Sequence, residues 1–292
     1  MFLFLSNFLA GLKSTGPLFL AELDHFRIQA TSLLCICAER LRQHNSEENR
    51  VGRTSELLLA ASPFDTAESW TTTESREAAR EVIAVLATVH GLGSSEELVT
   101  SKASDFLELF KPLFAPHGSK RVVPVPRKSS DWTESEDGST DAAGWEKLPG
   151  VKYAFLWVLT RLDGPFLNDN IALVAPPVFR LLEDYRVPAK IVGLHCVALF
   201  LSRVGPSVLK KSGLGLAFLS ASRKSLHFRE LRLLEVAYPC LFQLINLLDG
   251  SQTPESVAKL DELFLGLLKE GEFEEKAAFR AVCSSLTFLL LR

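Results

Sequence analysis

Several functional classes are missing their usual marks in this chain. No Walker lysine motif, His-Glu-x-x-His helix or nucleophile elbow occurs in the 292 residues, which leaves phosphate-loop, zincin and α/β-hydrolase chemistry without support. The five cysteines, Cys35, Cys37, Cys196, Cys240 and Cys283, are odd in number and scattered. Cys35 and Cys37 lack a second ligand pair at zinc spacing, and residues two apart on a helix face different ways, so no metal is expected. They read as small buried hydrophobes of a reducing compartment. Basic surplus is also missing: the formal net charge is −3 and the isoelectric point about 6.1, which argues against nucleic acid as a partner. Alternating β-branched runs are absent apart from VVPVP at 122–126, so strands are not expected.

The opening run is much shorter than the ~20 residues that cross a bilayer. The opening MFLFLSNFLAGL is apolar but stops at Lys13, and it lacks the basic start and small-residue cleavage site of a signal peptide. It reads as a core helix, or as a chain start cut from something longer. No membrane is expected as a partner.

What is present is helical periodicity over a composition that is 47% hydrophobic and 23% charged, enough for a substantial core. Apolar residues recur at three- and four-residue intervals from Leu18 to Leu41, Arg76 to Val89 and Ala103 to Phe114, which predicts amphipathic helices. From 117 to 150 the pattern stops. That stretch is rich in Ser, Pro, Gly and charge, basic at first (Lys120, Arg121, Arg127, Lys128) and then acidic (Asp131, Glu134, Glu136, Asp137, Asp141). It cannot bury enough surface to offset ordering entropy, so it is read as a mobile linker. Thr133, with Glu136 three residues on, fits an acid-directed kinase, although a plain solvated segment is the commoner use of such composition.

After Val151 the helical pattern resumes. Phe155, Leu156, Leu159 and Leu162 predict one buried stripe, Val178, Leu181, Leu182 and Tyr185 a second, and Ile191, Leu194, Ala198 and Leu201 a third. Thr253, Pro254 and Glu255 form a helix start, and Lys269 with Gly271 its expected end. A last helix through Val282, Leu286 and Leu289 reaches Arg292 without a cap, as in a truncated array. Short turns at Gly164-Pro165, Val187-Pro188, Gly205-Pro206 and Gly250–Pro254 join these helices. The expected fold is all-α, an irregular HEAT/armadillo-like α-solenoid. Its parts are an N-terminal helical region (1–116), the linker (117–150) and C-terminal repeats (151–292).

Candidate chemistry is sparse. His195 and Cys196 are adjacent, but neighbours on a helix point about 100° apart and cannot form a nucleophile–base pair; they read as a structural core pair. SGLGLAF, around Gly213 and Gly215, reads as an interhelical turn and not a phosphate loop. The strongest signal is PPVFRLLEDYRVPAKIVG, 176–193. Glu183 and Asp184 sit at an expected helix C-terminus and Lys190 in the next first turn, both against the helix dipole. Such breaches often mark function, though an exposed ion pair across the turn is an equal reading. Gly193 inside a helix suggests close approach of another backbone.

LVAPPVFRLLEDYRVPAKIVGLHCVALFL, 173–201, resembles the Tti-two family, the second Tel-two-interacting protein of the Triple-T cochaperone complex. The resemblance is carried by Pro176-Pro177 as a proline-containing helix start, Glu183-Asp184-Tyr185, Lys190 and Gly193. It extends from about Val151 to Ser222; Glu183 stands where the family usually has aspartate, and the chain is short for the family. The resemblance implies a non-catalytic solenoid scaffold without cofactors, in the cytoplasm with the nucleus as a second location. Its implied partners are Tel-two and Tti-one, and indirectly heat-shock chaperones and phosphatidylinositol-3-kinase-like kinases. An adaptor of other function, or a hydrolase using Cys196, are the competing readings.

Overall fold

The structure is a computed structural model and describes residues 17–43, 54–115, 145–148, 150–250, 253–273, 280–281 and 284–285. Among the described residues the regular structure is entirely helical. The N-terminal part holds α1 (Pro17–Gln43), α2 (Thr54–Ala61), α3 (Thr73–Val89), α4 (Ser95–Ser101) and α5 (Ala103–Leu113). The C-terminal part holds α6 (Gly150–Leu159), α7 (Gly164–Asp169), α8 (Ile171–Glu183), α9 (Val187–Arg203), α10 (Pro206–Lys211), α11 (Leu214–Arg223), α12 (Leu231–Asp249) and α13 (Pro254–Phe273). Each long helix packs chiefly on near neighbours in the chain: α1 on α3, α8 on α9, α9 on α12, α11 on α12 and α12 on α13. That stepwise stacking makes an irregular α-solenoid.

Local chemistry explains the boundaries. Thr72 caps α3 by accepting from the Ser75 N–H at 3.1 Å while the Ser75 hydroxyl accepts from the Thr72 N–H at 2.9 Å. Asp163 caps α7 through the Phe166 N–H at 2.9 Å, and Thr253 caps α13 through Ser256 at 3.1 Å. Gly213 turns α10 into α11 with φ 72°, and a Cβ on Gly215 would lie 2.7 Å from Leu248 Cδ2, as an interhelical turn requires. The α13 helix continues past Gly271 to Phe273 instead of closing at Lys269. Pro176 and Pro177 lie inside α8, which starts five residues before them at Ile171. The carbonyls that lose partners belong to Ala172 and Leu173, both exposed, where water can satisfy them.

The expected boundary between helical halves is bridged by packing. One apolar core runs without interruption from Leu23 on α1 to Leu267 on α13. Phe64, in the 3-10 turn after α2 (Ser62–Asp65), meets Trp70, which meets Tyr153 of α6 at 5.7 Å between ring centres. Asp65 then accepts from Trp157 Nε1 at 2.9 Å and pairs with Arg161 at 3.0 Å and Arg80 at 2.6 Å. Residues 145–148, assigned by composition to the linker, belong to the fold: Trp145 is buried and stacks on Phe114 at 5.7 Å. The rest of the expected linker, including VVPVP, Thr133 and the acidic run, lies outside the described residues, as do MFLFLSNFLAGL and most of the last helix. At 19 residues, α12 is apolar enough to cross a membrane. Its Leu233, Leu234, Ala237, Leu241, Leu244 and Ile245 are instead spent on the core.

Candidate partner interface

The turn between α8 and α9 sits at one edge of the array, where three other segments converge. Trp145, just before α6, lies beneath the Arg186 guanidinium, 5.0 Å from ring centre to Cζ, and the Glu146 carbonyl accepts from Arg186 at 3.1 Å. Lys152 of α6 is acted on electrostatically by Arg186, Glu68 and Asp184. The 3-10 turn Lys224–Phe228, between α11 and α12, brings the Phe228 ring to 4.6 Å from Lys190 Nζ.

Within the turn the charges do not fight the helix dipoles. Lys190, only 3% exposed, reaches back across the turn so that its ammonium donates to the Leu182 carbonyl at 2.6 Å. A cation therefore caps the C-terminus of α8, which is the favourable sign. Asp184 points forward: its Oδ1 accepts from the Arg186 N–H at 2.8 Å and both oxygens engage the Arg186 guanidinium, at 2.9 and 3.0 Å. An anion thus lies at the start of α9, and its ionic partner is Arg186, not Lys190. The expected conflict came from assigning each charge to its own helix; a tight turn lets each serve the other one. Burial lowers the Lys190 pKa, Asp184 and Glu183 opposing that shift and Lys224 adding to it.

Gly193 is buried where α9 crosses α8. A Cβ there would stand 3.0 Å from the Leu182 N and 3.1 Å from Leu182 Cγ, so the glycine permits the close crossing from which Lys190 reaches Leu182. Pro177 is buried and Pro176 exposed. Glu183 is exposed, and Tyr185, placed by periodicity on a buried stripe, is 79% exposed with its ring 5.6 Å from Arg186 Cζ. The signature therefore divides into buried members that set the hairpin and exposed members, Pro176, Glu183 and Tyr185, that face outward.

A Tti2 family profile matches residues 57–287. The chain belongs to the Tti2 family. Human TELO2-interacting protein 2 is 26% identical over 182 residues, covering 62% of this chain and 32% of the human protein. The rat protein of that name is 24% identical over 185 residues with the same coverage, and the mouse one 28% over 105 residues. The chain thus spans about a third of the human and rat relatives. Among solved structures, a designed armadillo repeat protein, YIII(Dq)4CqI, aligns over 98% of this chain and 99% of its own at 15% identity and a TM-score of 0.43.

For this member of the Tti2 family, the residues that the sequence left unremarked are Arg186, Trp145, Lys152 and Phe228. Arg186 stood two positions after an acid in the signature itself, and Trp145 was one of two tryptophans, with Trp132, in a polar stretch; both were available signals. Phe228 and Lys152 had none, because their roles arise from contacts between distant segments. The pair His195 and Cys196 parts company in the structure. His195 is exposed, not core, while Cys196 is fully buried and burial drives its thiol pKa up, which withholds the thiolate a hydrolase would need. Among the described residues no three His, Cys, Asp or Glu side chains converge as a metal site.

Proposed function

We propose that this chain is a non-catalytic scaffold subunit of a Triple-T cochaperone assembly. In this reading it joins Tel-two and Tti-one proteins and, through heat-shock chaperone machinery, supports maturation and stability of phosphatidylinositol-3-kinase-like kinases, in the cytoplasm and also the nucleus. Membership of the Tti2 family supports the assembly, since the relatives carry TELO2-interacting names. One observation supports the site: Tyr185 and Glu183 stand exposed on a turn whose direction is set by buried Lys190 and Gly193. An exposed tyrosine on a rigid mount is the kind of residue that dominates binding energy.

The test separates mount from surface. Tyr185→Ala combined with Glu183→Lys should lower co-purification of Tel-two and Tti-one proteins by the equivalent of about 2 kcal/mol or more, with the melting temperature unchanged. Full co-purification by that variant removes the turn from the interface, and failure of the unaltered chain to capture either protein removes the Triple-T reading.

A further inference from the structure

Next to the α8–α9 turn lies a basic and aromatic surface outside the signature. The stretch 223–232, RKSLHFRELR, carries four lysines and arginines against one glutamate in a chain whose net charge is −3. Lys224, His227, Phe228, Arg229 and Arg232 are all exposed. Arg223 pairs with Glu262 at 3.4 Å, whereas Lys224 and Arg232 form no salt bridge among the described residues. Arg229 adopts φ 48°, and no other non-glycine residue described here has a positive φ. That left-handed step ends the 3-10 turn and starts α12, and it is uncommon for arginine. Phe228 is left 38% exposed against the Lys190 ammonium.

This stretch meets the α8–α9 turn where the Phe228 ring lies 4.6 Å from Lys190 Nζ. Lys224 acts electrostatically on Lys190, and Arg232 acts on Glu68, which in turn acts on Lys152 beside Arg186. Phe228, with Lys224 and His227 in the same 3-10 turn, therefore adjoins the α8–α9 turn. Of the nearby acids, Asp184 is held by Arg186, Glu68 faces Lys152 and Arg232, and Glu183, Glu230 and Glu235 interrupt the positive field.

We infer that this edge binds an acidic peptide segment of a partner protein, with carboxylates on Lys224 and Arg232 and an apolar side chain against the exposed Phe228 ring. Charge complementarity selects the sign of the ligand. A long polyanion is disfavoured, because its evenly spaced phosphates would meet Glu183, Glu230 and Glu235 and the field of a net-negative chain. A short peptide can place its acids selectively. The inference rests on reading this edge as a partner surface, and it adds the chemistry of what the edge receives.

The test uses the whole chain and fluorescence anisotropy with the labelled peptide Gly-Asp-Leu-Glu-Glu-Phe-Glu-Asp-Gly. Its counterpart bearing Asn and Gln, a twelve-nucleotide single-stranded DNA and phosphatidylserine vesicles serve as the other arms. Saturable binding of the acidic peptide is expected, weakened about tenfold or more by Lys224→Glu with Arg232→Glu and severalfold by Phe228→Ala. Lys211→Glu, at the opposite edge, should leave it unchanged, with helical circular dichroism intact in every variant. Equal binding of the amide peptide, or insensitivity to the Lys224 and Arg232 reversals, overturns the inference. So does tighter charge-dependent binding of the DNA or the vesicles. Co-purification of Tel-two and Tti-one, measured on the same variants, keeps the two readings apart: peptide binding lost with assembly retained upholds this site and places assembly elsewhere.

Discussion

Lys152 carries its charge almost out of reach of water, with its ammonium 4.5 Å from the centre of the Tyr153 ring. Burial holds its pKa down to about 8, Arg186 adds to the shift, and Glu68 and Asp184 oppose it. The sign of the consequence follows from proton counting. Between about 8 and the ordinary lysine value of 10.5, the unfolded chain binds the proton and the folded one releases it, so this group makes stability rise with pH in that window. Below it the group contributes a constant destabilisation. The buried thiols of Cys196 and Cys240, the latter pushed up to about 12, and the Tyr153 phenol, also raised, act oppositely at high pH but are common to wild type and variant. Lys152→Met should therefore remove a wild-type gain on the order of 2–3 kcal/mol between pH 8 and 10.5, read as the difference between urea-unfolding free energies. Parallel pH profiles for the two proteins would mean that Lys152 titrates as an ordinary surface lysine.

At the scale of elements, the α8–α9 hairpin is the joint that orients the edge. Its two fixings are the Lys190 ammonium on the Leu182 carbonyl and the bare Cα of Gly193 against the same residue. Gly193→Leu forces a side chain into space already filled by Leu182, at a cost of roughly 1–3 kcal/mol. Lys190→Met keeps the aliphatic stem but orphans the buried carbonyl, at about 1–3 kcal/mol. Both acts fall on one residue, so the double variant should cost less than the sum of the singles. Additive losses in chemical denaturation would show that the two fixings are independent. At the opposite edge, Arg203 plays the matching part. Its guanidinium donates to the Leu159 carbonyl at 3.3 Å and the Thr160 carbonyl at 2.8 Å, and also to that of Leu162. These bonds cap the end of α6 and tie it to α9.

For the whole molecule, the decisive contact is Asp65. It is 8% exposed at the side chain and satisfied by Trp157, Arg161 and Arg80, so it clamps the N-terminal helices to α6. Asp65→Ala leaves Arg161 half-buried without its main anion, and breaking such a pair costs about 3–5 kcal/mol. Because one core runs through both parts, calorimetry should show a single transition displaced to lower temperature. Two transitions, only one of them displaced, would mean that the parts fold separately.

Residue periodicity by itself determined the all-helical class, the limits of α1, α3 and α5 to within about three residues and the start of α13, because a three-to-four-residue apolar rhythm and a Thr-Pro-Glu cap act over one or two turns of chain. It also determined that Gly193 marks a close approach, since glycine's cost inside a helix is local. What it could not determine was which helix each charge would serve. Lys190 lies eight residues from Leu182 along the chain and 2.6 Å from its carbonyl in space, a relation created by the turn and not by either helix. The same holds for Tyr185, whose periodicity predicted burial but which falls beyond the end of α8 at Glu183 and so leaves the helical face. Composition assigned Trp145 to a linker, yet its stacking on Phe114 and its place beneath Arg186 exist only once α5, α6 and the α8–α9 turn have met. Interactions that close within a few residues are written in the order of the chain, whereas the edge is assembled from segments as far apart as Glu68 and Arg232, and only the packed core brings them together.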